Sequence, residues 1–319
     1  MHTTLGTLRR RVLTPNTTQT LVETRGFHQG TATARGLVET VGRFFLVGYG
    51  HAAETGSPED TDRRLADVPV RFRGFAHEGA AMAFTVLDAL TPRGRRAAEY
   101  MAGPGDPHLY MAHVGVGWAL ARLPRPLWPS AHTLDPLLRW LVLDGYGFHQ
   151  AYFHTDRFVR RREHDTRPAH WSGAPDYAAR AMDQGIGRAL WFVACADPGR
   201  VADLVESFPE RRRADLYSGV GLAAVYAGGA DREALERLRD RAGAHRRWLA
   251  QGAAFAAEAR LRADLSVPHV GVAVTALCGA SPESAAWSAR ETRPAEGRGR
   301  AGVPGYEVWR TRLAERWAV

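Results

Sequence analysis

The sequence predicts an all-α protein. Three observations carry that expectation. Apolar residues recur at helical spacing in almost every segment, Gly, Pro and Asp punctuate those segments, and alternating β-branched runs are scarce. The chain has 319 residues, 45% of them apolar. That is enough to bury a substantial core in one or two domains.

Taken in order, residues 1–34 are rich in Thr and Arg and read as an irregular N-terminal segment. The stretch "GLVETVGRFFLVGYGHAA" (36–53) reads as an amphipathic helix. "SPED" (57–60) marks a helix start, with Ser57 as cap and Pro58 in the first turn. "VPVRFRGF" (68–75) is the best strand candidate. Helices are expected near 75–90, 93–102, 108–122, 134–153, 176–195, 198–206, 210–227, 231–240, 243–262, 267–278, 281–290 and 304–317. The charged stretch "TDRFVRRREHDTRPAHWSG" (155–173) carries a Pro and reads as a connector.

An internal repeat spans that connector. "EGAAMAFTVLDAL" (78–90) matches "QGIGRALWFVACA" (184–196), and "HVGVGWALA" (113–121) matches "YSGVGLAAV" (217–225). "RWLVLDGYGF" (139–148) resembles "RRWLAQGAAF" (246–255). The offsets agree: Gly79 to Gly185 is 106, Gly115 to Gly219 is 104, and Gly145 to Gly252 is 107. The expected architecture is therefore two duplicated four-helix halves, 35–154 and 175–265, joined by a connector at 155–174. They are followed by C-terminal helices in 266–319, and the whole packs as one compact unit.

The repeat singles out four positions: Glu78-Gly79, Asp144-Gly145, Gln184-Gly185 and Gln251-Gly252. Gly within a helix costs about 1 kcal/mol relative to Ala, so its recurrence needs an offset. Close approach of helix backbones supplies one. The polar residue before each Gly then sits at an equivalent place, and four polar side chains converge on a shared interior. Glu78 and Asp144 are the acidic members, and hence the candidate catalytic pair. Helical spacing puts Glu78 on a face with Met82, and Gln184 with Arg188 and Trp191, so Arg188 is placed to neutralise Glu78 or Asp144. The candidate binding set is His77, His113, His149, Asp183, Gln184, Arg188 and Gln251, with Trp118, Tyr146, Phe148 and Trp191 as walls of an apolar pocket. Asp144 and His149 lie about 140° apart around a helix and do not readily share one ligand. Three readings stay open for the polar set: a buried salt-bridge or capping network, a carboxylate acid/base pair, and metal ligation.

Composition narrows the function classes. All 42 basic residues are Arg, and no Lys is present to form a Schiff base. The net charge is +8, but the Arg runs are short and scattered, so a solvated surface is expected and no nucleic-acid partner. Cys195 and Cys278 stand in apolar segments without any CxxC, which fits reduced thiols in a cytoplasm. The N-terminus lacks the apolar core of a secretory signal, and no run of 18 apolar residues predicts a membrane span. No Glu-x-x-His pair falls on the repeat helices, so no metal or other cofactor is expected, and a di-iron site is the alternative. Acidic diphosphate-binding motifs, nucleotide-binding glycine loops and nucleophile elbows are absent as well.

Several long stretches resemble the UnbL-type proteins, a bacterial family known from enediyne polyketide gene clusters. They are "RGFAHEGAAM" (73–82), "HLYMAHVGVGWALARLP" (108–124), "LDPLLRWLVLDGYGFHQAYF" (134–153), "AMDQGIGRALWFV" (181–193), "ADLYSGVGLAAVYAGG" (214–229) and "LAQGAAFAAEAR" (249–260). Met182 stands where Phe is expected, a small departure. The resemblance supplies a pathway and no catalytic residues. It implies a protein of secondary metabolism that meets a polyene or similar apolar intermediate. Its partners would include other proteins of such a cluster, among them a membrane-bound one. Three functions follow: an enzyme acting on the polyene between the halves, a non-catalytic binding, chaperone or docking protein, and a terpene-like cyclase with a carboxylic acid as proton donor.

Overall fold

The computed structural model describes residues 4–171, 173–295, 299 and 302–318. The described residues form α-helices and short 3-10 or π turns, with no strand. In chain order the helices are α1 (Thr4–Leu13), α2 (Val22–Arg25), α3 (Ala32–Thr55), α4 (Pro58–Leu65), α5 (Val70–Ala89), α6 (Arg96–Ala102), α7 (Leu109–Arg122) and α8 (Arg139–Phe153). There follow α9 (Pro175–Val193), α10 (Pro198–Glu206), α11 (Glu210–Ala227), α12 (Arg232–Ala242), α13 (Arg246–Arg262), α14 (Pro268–Cys278), α15 (Pro282–Glu291) and α16 (Gly305–Glu315). Capping explains many of the starts. Thr31, Ser57, Asp197, Asp231 and Ser281 each accept a backbone N–H of the first turn of α3, α4, α10, α12 and α15.

Seven long helices, α3, α5, α7, α8, α9, α11 and α13, pack side by side in chain order. Glycine sets their spacing. A Cβ on Gly115 would strike the carbonyl of Glu78, and one on Gly219 that of Gln184. Gly145 faces the carbonyl of Val114, and Gly252 that of Ser218. Gly117 faces Val142, and Gly221 faces Leu249. Each pair occupies matched places in the sequence repeat, so matched positions make matched contacts. The series does not pause at the connector, because Gly185 lies against the Asp144 carbonyl and Gly147 against that of Met182. Helices this close gain dispersion contacts and Cα–H···O contacts over their backbones.

The array curls. Phe75 on α5 meets Tyr226 on α11, four helices further along, with ring centroids 5.1 Å apart. Arg260 on α13 donates to the carbonyl of Arg71 on α5 at 3.0 Å. Beyond the α7/α8 crossing, Trp118 continues to touch Phe148 and Tyr152, so these two helices run in the same direction. The shorter α4, α6, α10, α12 and α14 pack beside the array, and α16 packs on α13.

Several expectations need correction. Residues 4–34 are not irregular. They hold α1, a 3-10 turn at Thr17–Thr20 and α2, ordered by tertiary contacts such as Arg10 on Glu54 at 2.7 Å. Residues 1–3 lie outside the described part. The strand candidate at 68–75 is helical from Val70, because Phe72 stacks on Phe44 of α3 at 5.0 Å and Phe75 turns inward. The helix expected from 134 starts at Arg139, since Asp135 folds back to accept the N–H groups of Leu137 and Leu138. The helix expected from 93 starts at Arg96, where Asp88 of α5 accepts the N–H groups of Arg96 and Ala97. The connector holds a π-helical turn at Asp156–Arg160 and a buried Asp165.

The contrast among glycines is testable. Gly219→Ala is expected to destabilise the protein by about 1–3 kcal/mol through forced separation of α9 and α11. Gly271→Ala, on α14 with nothing near its Cβ, is expected to stabilise by about 0.5–1 kcal/mol. Denaturant melts of the two variants read the opposite signs. Equal effects would remove the close-packing explanation.

Candidate functional site

Curling brings the residues preceding the repeat glycines together. Asp144 accepts from Arg188 at 2.5 Å and from the Gln184 amide at 2.8 Å. The other nitrogen of Arg188 stands 4.0 Å from Glu78. Gln184 donates also to the Tyr306 hydroxyl at 2.9 Å. Ser218 links the far side, donating to Gln251 at 2.7 Å and less directly to Gln184 at 3.3 Å. Glu78, Asp144, Gln184, Arg188 and Gln251 therefore form one buried chain through the interior. Beyond Gln251 come Arg310, Asp215, Arg180, Glu307 and Tyr177. Tyr177, Arg180, Glu307 and Arg310 carried no signal in the sequence, because α16 and the start of α9 lie outside the repeat motif, and Asp215 on α11 was not singled out.

Charge balance separates the two acids. Arg310 and Arg180 are matched by Asp215 and Glu307. Asp144 matches Arg188, which leaves Glu78 as the surplus carboxyl. Burial pushes Glu78 up to about 7; Arg188 and the Trp118 indole pull it down, and Asp144 pushes it further up. It is therefore a neutral or half-ionised acid near neutral pH.

Glu78 opens into an apolar cavity of about 60 Å³ walled by Phe45, Phe75, Met82, Trp118, Phe148, Tyr152 and Phe192. At roughly 10–15 Å³ per water, that is room for a few waters or a slender apolar group. Pro15, Gln19 and Thr20, just after α1, and the exposed Arg122 line it too. Phe148 also carries Arg188 over its ring at 5.1 Å. Asp144 does not line this cavity, and both its oxygens are engaged. A wider cleft of about 750 Å³ elsewhere, lined by Arg239, Arg246, Arg247 and Arg316, contains none of this chemistry.

The other candidates lie apart. His77 bonds Tyr100 at 2.5 Å and stacks on His108, on the side of α5 that faces α6. His113 donates from Nδ1 to the Leu109 carbonyl at 2.8 Å. His149 packs edge-on to Trp118, and burial pushes it down to about 3. Asp183 is held by Arg212 at 2.6 Å, and burial lifts it to about 6 despite that partner. Tyr146 donates to Asp165, and Trp191 to the Gly228 carbonyl, so both are structural. Among the described residues no three His, Cys, Asp or Glu side chains group as metal ligands would. Among the described helices none is long and apolar enough to cross a membrane.

The chain belongs to the DUF1702 family, proteins of unknown function, whose family model matches residues 4–317. No curated protein and no solved structure matches it.

The raised Glu78 gives a stability test. Its folded value of about 7 exceeds its ordinary 4.5, so the folded state holds a proton that the unfolded state releases. That contribution is complete below about 4.5 and is lost as pH rises to about 7. Wild type compared with Glu78→Gln is expected to lose relative stability across that window, by at most about 1.4 kcal/mol per pH unit. Urea melts at several pH values measure it. A flat difference would place the Glu78 proton elsewhere.

Proposed function

We propose that this protein is a cytoplasmic enzyme of enediyne-type secondary metabolism that moves a proton to or from an apolar, polyene-like molecule. Glu78 is the acid/base. One observation carries the reading: Glu78 is a surplus carboxyl, raised towards neutrality, at the wall of an aromatic cavity. A group with a pKa near the working pH is suited both to give and to take a proton. Asp144, Gln184 and Gln251 act through Arg188 and the hydrogen-bonded chain as positioning residues. The motif resemblance supplies the pathway.

The chemistry balances without a further reactant. The acid protonates one carbon of a conjugated system. The carboxylate formed then removes a proton from another carbon, which gives an isomer or a ring. The aromatic rings of Phe45 and Trp118 in the cavity wall would stabilise positive charge on the carbon chain. A cyclase with a carboxylic proton donor is one version of the same step.

A second reading is favoured by the small cavity and the fully engaged Asp144. In that reading the protein holds an apolar intermediate, or docks its synthase or a membrane-bound partner, without turnover.

Incubation with extracted polyene, followed by mass spectrometry, separates the two. Turnover is expected in the wild type, falling at least about 100-fold in Glu78→Gln. The wild-type rate should decline above pH about 7 as Glu78 ionises. Unchanged turnover in Glu78→Gln rejects the assignment, and tight binding with no product supports the holding role.

A further inference from the structure

We infer that the cavity at Glu78 is one chamber of a longer lumen, whose occupant is an unbranched apolar chain that passes Arg188 into a second chamber. This rests on reading the first cavity as a substrate site. The second chamber, of about 30 Å³, is walled by Met111, Val114, Leu141, Leu222, Phe255 and Trp309. Its lining is as apolar as the first, and the chemistry described above does not use it.

Arg188 lines both chambers. The two are stacked along the helices. On α7 the first chamber is lined by Trp118 and Arg122, the second by Val114, Met111 and Tyr110. On α8 the order repeats, with Phe148 and Tyr152 in the first and Leu141 in the second. Asp144 falls one turn from both Phe148 and Leu141, and there it holds Arg188. The ion pair is thus a partition at mid-height and not the floor of a pocket. From Arg122 to Tyr110 the residues of α7 that line the two chambers span about 18 Å at 1.5 Å per residue.

The partition is movable in principle. The Arg188–Glu78 contact is long, and protonation of Glu78 leaves Asp144 as the one strong anchor of the guanidinium. A chain lying in both chambers would put an internal carbon beside Glu78, not its end. The proton transfer would then occur in mid-chain, and chain length would set affinity.

The test uses cis-parinaric acid, a long conjugated tetraene whose fluorescence rises in apolar surroundings, with the short dienoic sorbic acid as competitor. Two variants fill the second chamber from different helices, Leu222→Trp on α11 and Ala259→Leu on α13, both at residues that line it, each checked for a cooperative melt. The parent protein is expected to bind the long probe at least tenfold more tightly than the short one. Both variants should lose about tenfold in long-probe affinity while keeping sorbate affinity. Undiminished long-probe binding in a folded variant overturns the two-chamber lumen and leaves the first cavity as the whole site. Failure of the parent to bind either probe overturns the substrate-site reading itself, and the lumen with it.

Discussion

Backbone-to-backbone contact between helices is the constraint on which this structure depends. At each crossing in the array a glycine faces a carbonyl of its neighbour, leaving no room for a methyl group. Because the crossings repeat at matched positions, each helix is displaced from the last in a similar way. A row of similarly displaced helices curls, and α5 comes back to meet α11 and α13. The hollow is a consequence of the small residues, and so is the burial of whatever precedes them.

Burial then dictates the chemistry. Polar groups forced inside must pair, since an unpaired buried charge costs several kcal/mol. The interior answers with Arg188 on Asp144 and with Arg310 and Arg180 on Asp215 and Glu307. Within this chain of contacts one carboxyl remains over, while the buried Arg260 is met by carbonyls and aromatic rings. Glu78 can stay inside only by holding its proton until close to neutral pH, which is also what acid/base work requires. The same geometry that makes a compact core thus leaves one carboxyl with a raised pKa beside an apolar space.

The helices and most of their limits were legible because they follow from local spacing: Gly, Pro and capping residues mark where a 3.6-residue period can run. The convergence of Glu78, Asp144, Gln184 and Gln251 was legible for the same reason, as was Arg188 facing the acids. The misses have physical causes. "VPVRFRGF" alternates by chance over a short window, and the stacking of Phe72 on a neighbouring helix decides its conformation. The N-terminal helix leaves its own apolar residues Leu5, Leu8 and Val12 exposed, and long-range contacts such as Arg10 on Glu54 hold it in place. Tyr306 lies 122 residues from Gln184, and Arg310 lies 59 from Gln251, and no period reports such contacts.

The sequence by itself determined an all-α chain, the places where helices touch most closely, and the polar residues carried to those places. These depend on residue size and on spacing along one helix. Tertiary structure alone decided that Asp144 is spent on Arg188 while burial pushes Glu78 up to about 7. It also decided which aromatic rings wall the cavity, and that His77, His113, His149 and Asp183 face elsewhere. Those outcomes depend on which charges meet across different helices, and the sum of charges in a closed volume is not a property of any one segment.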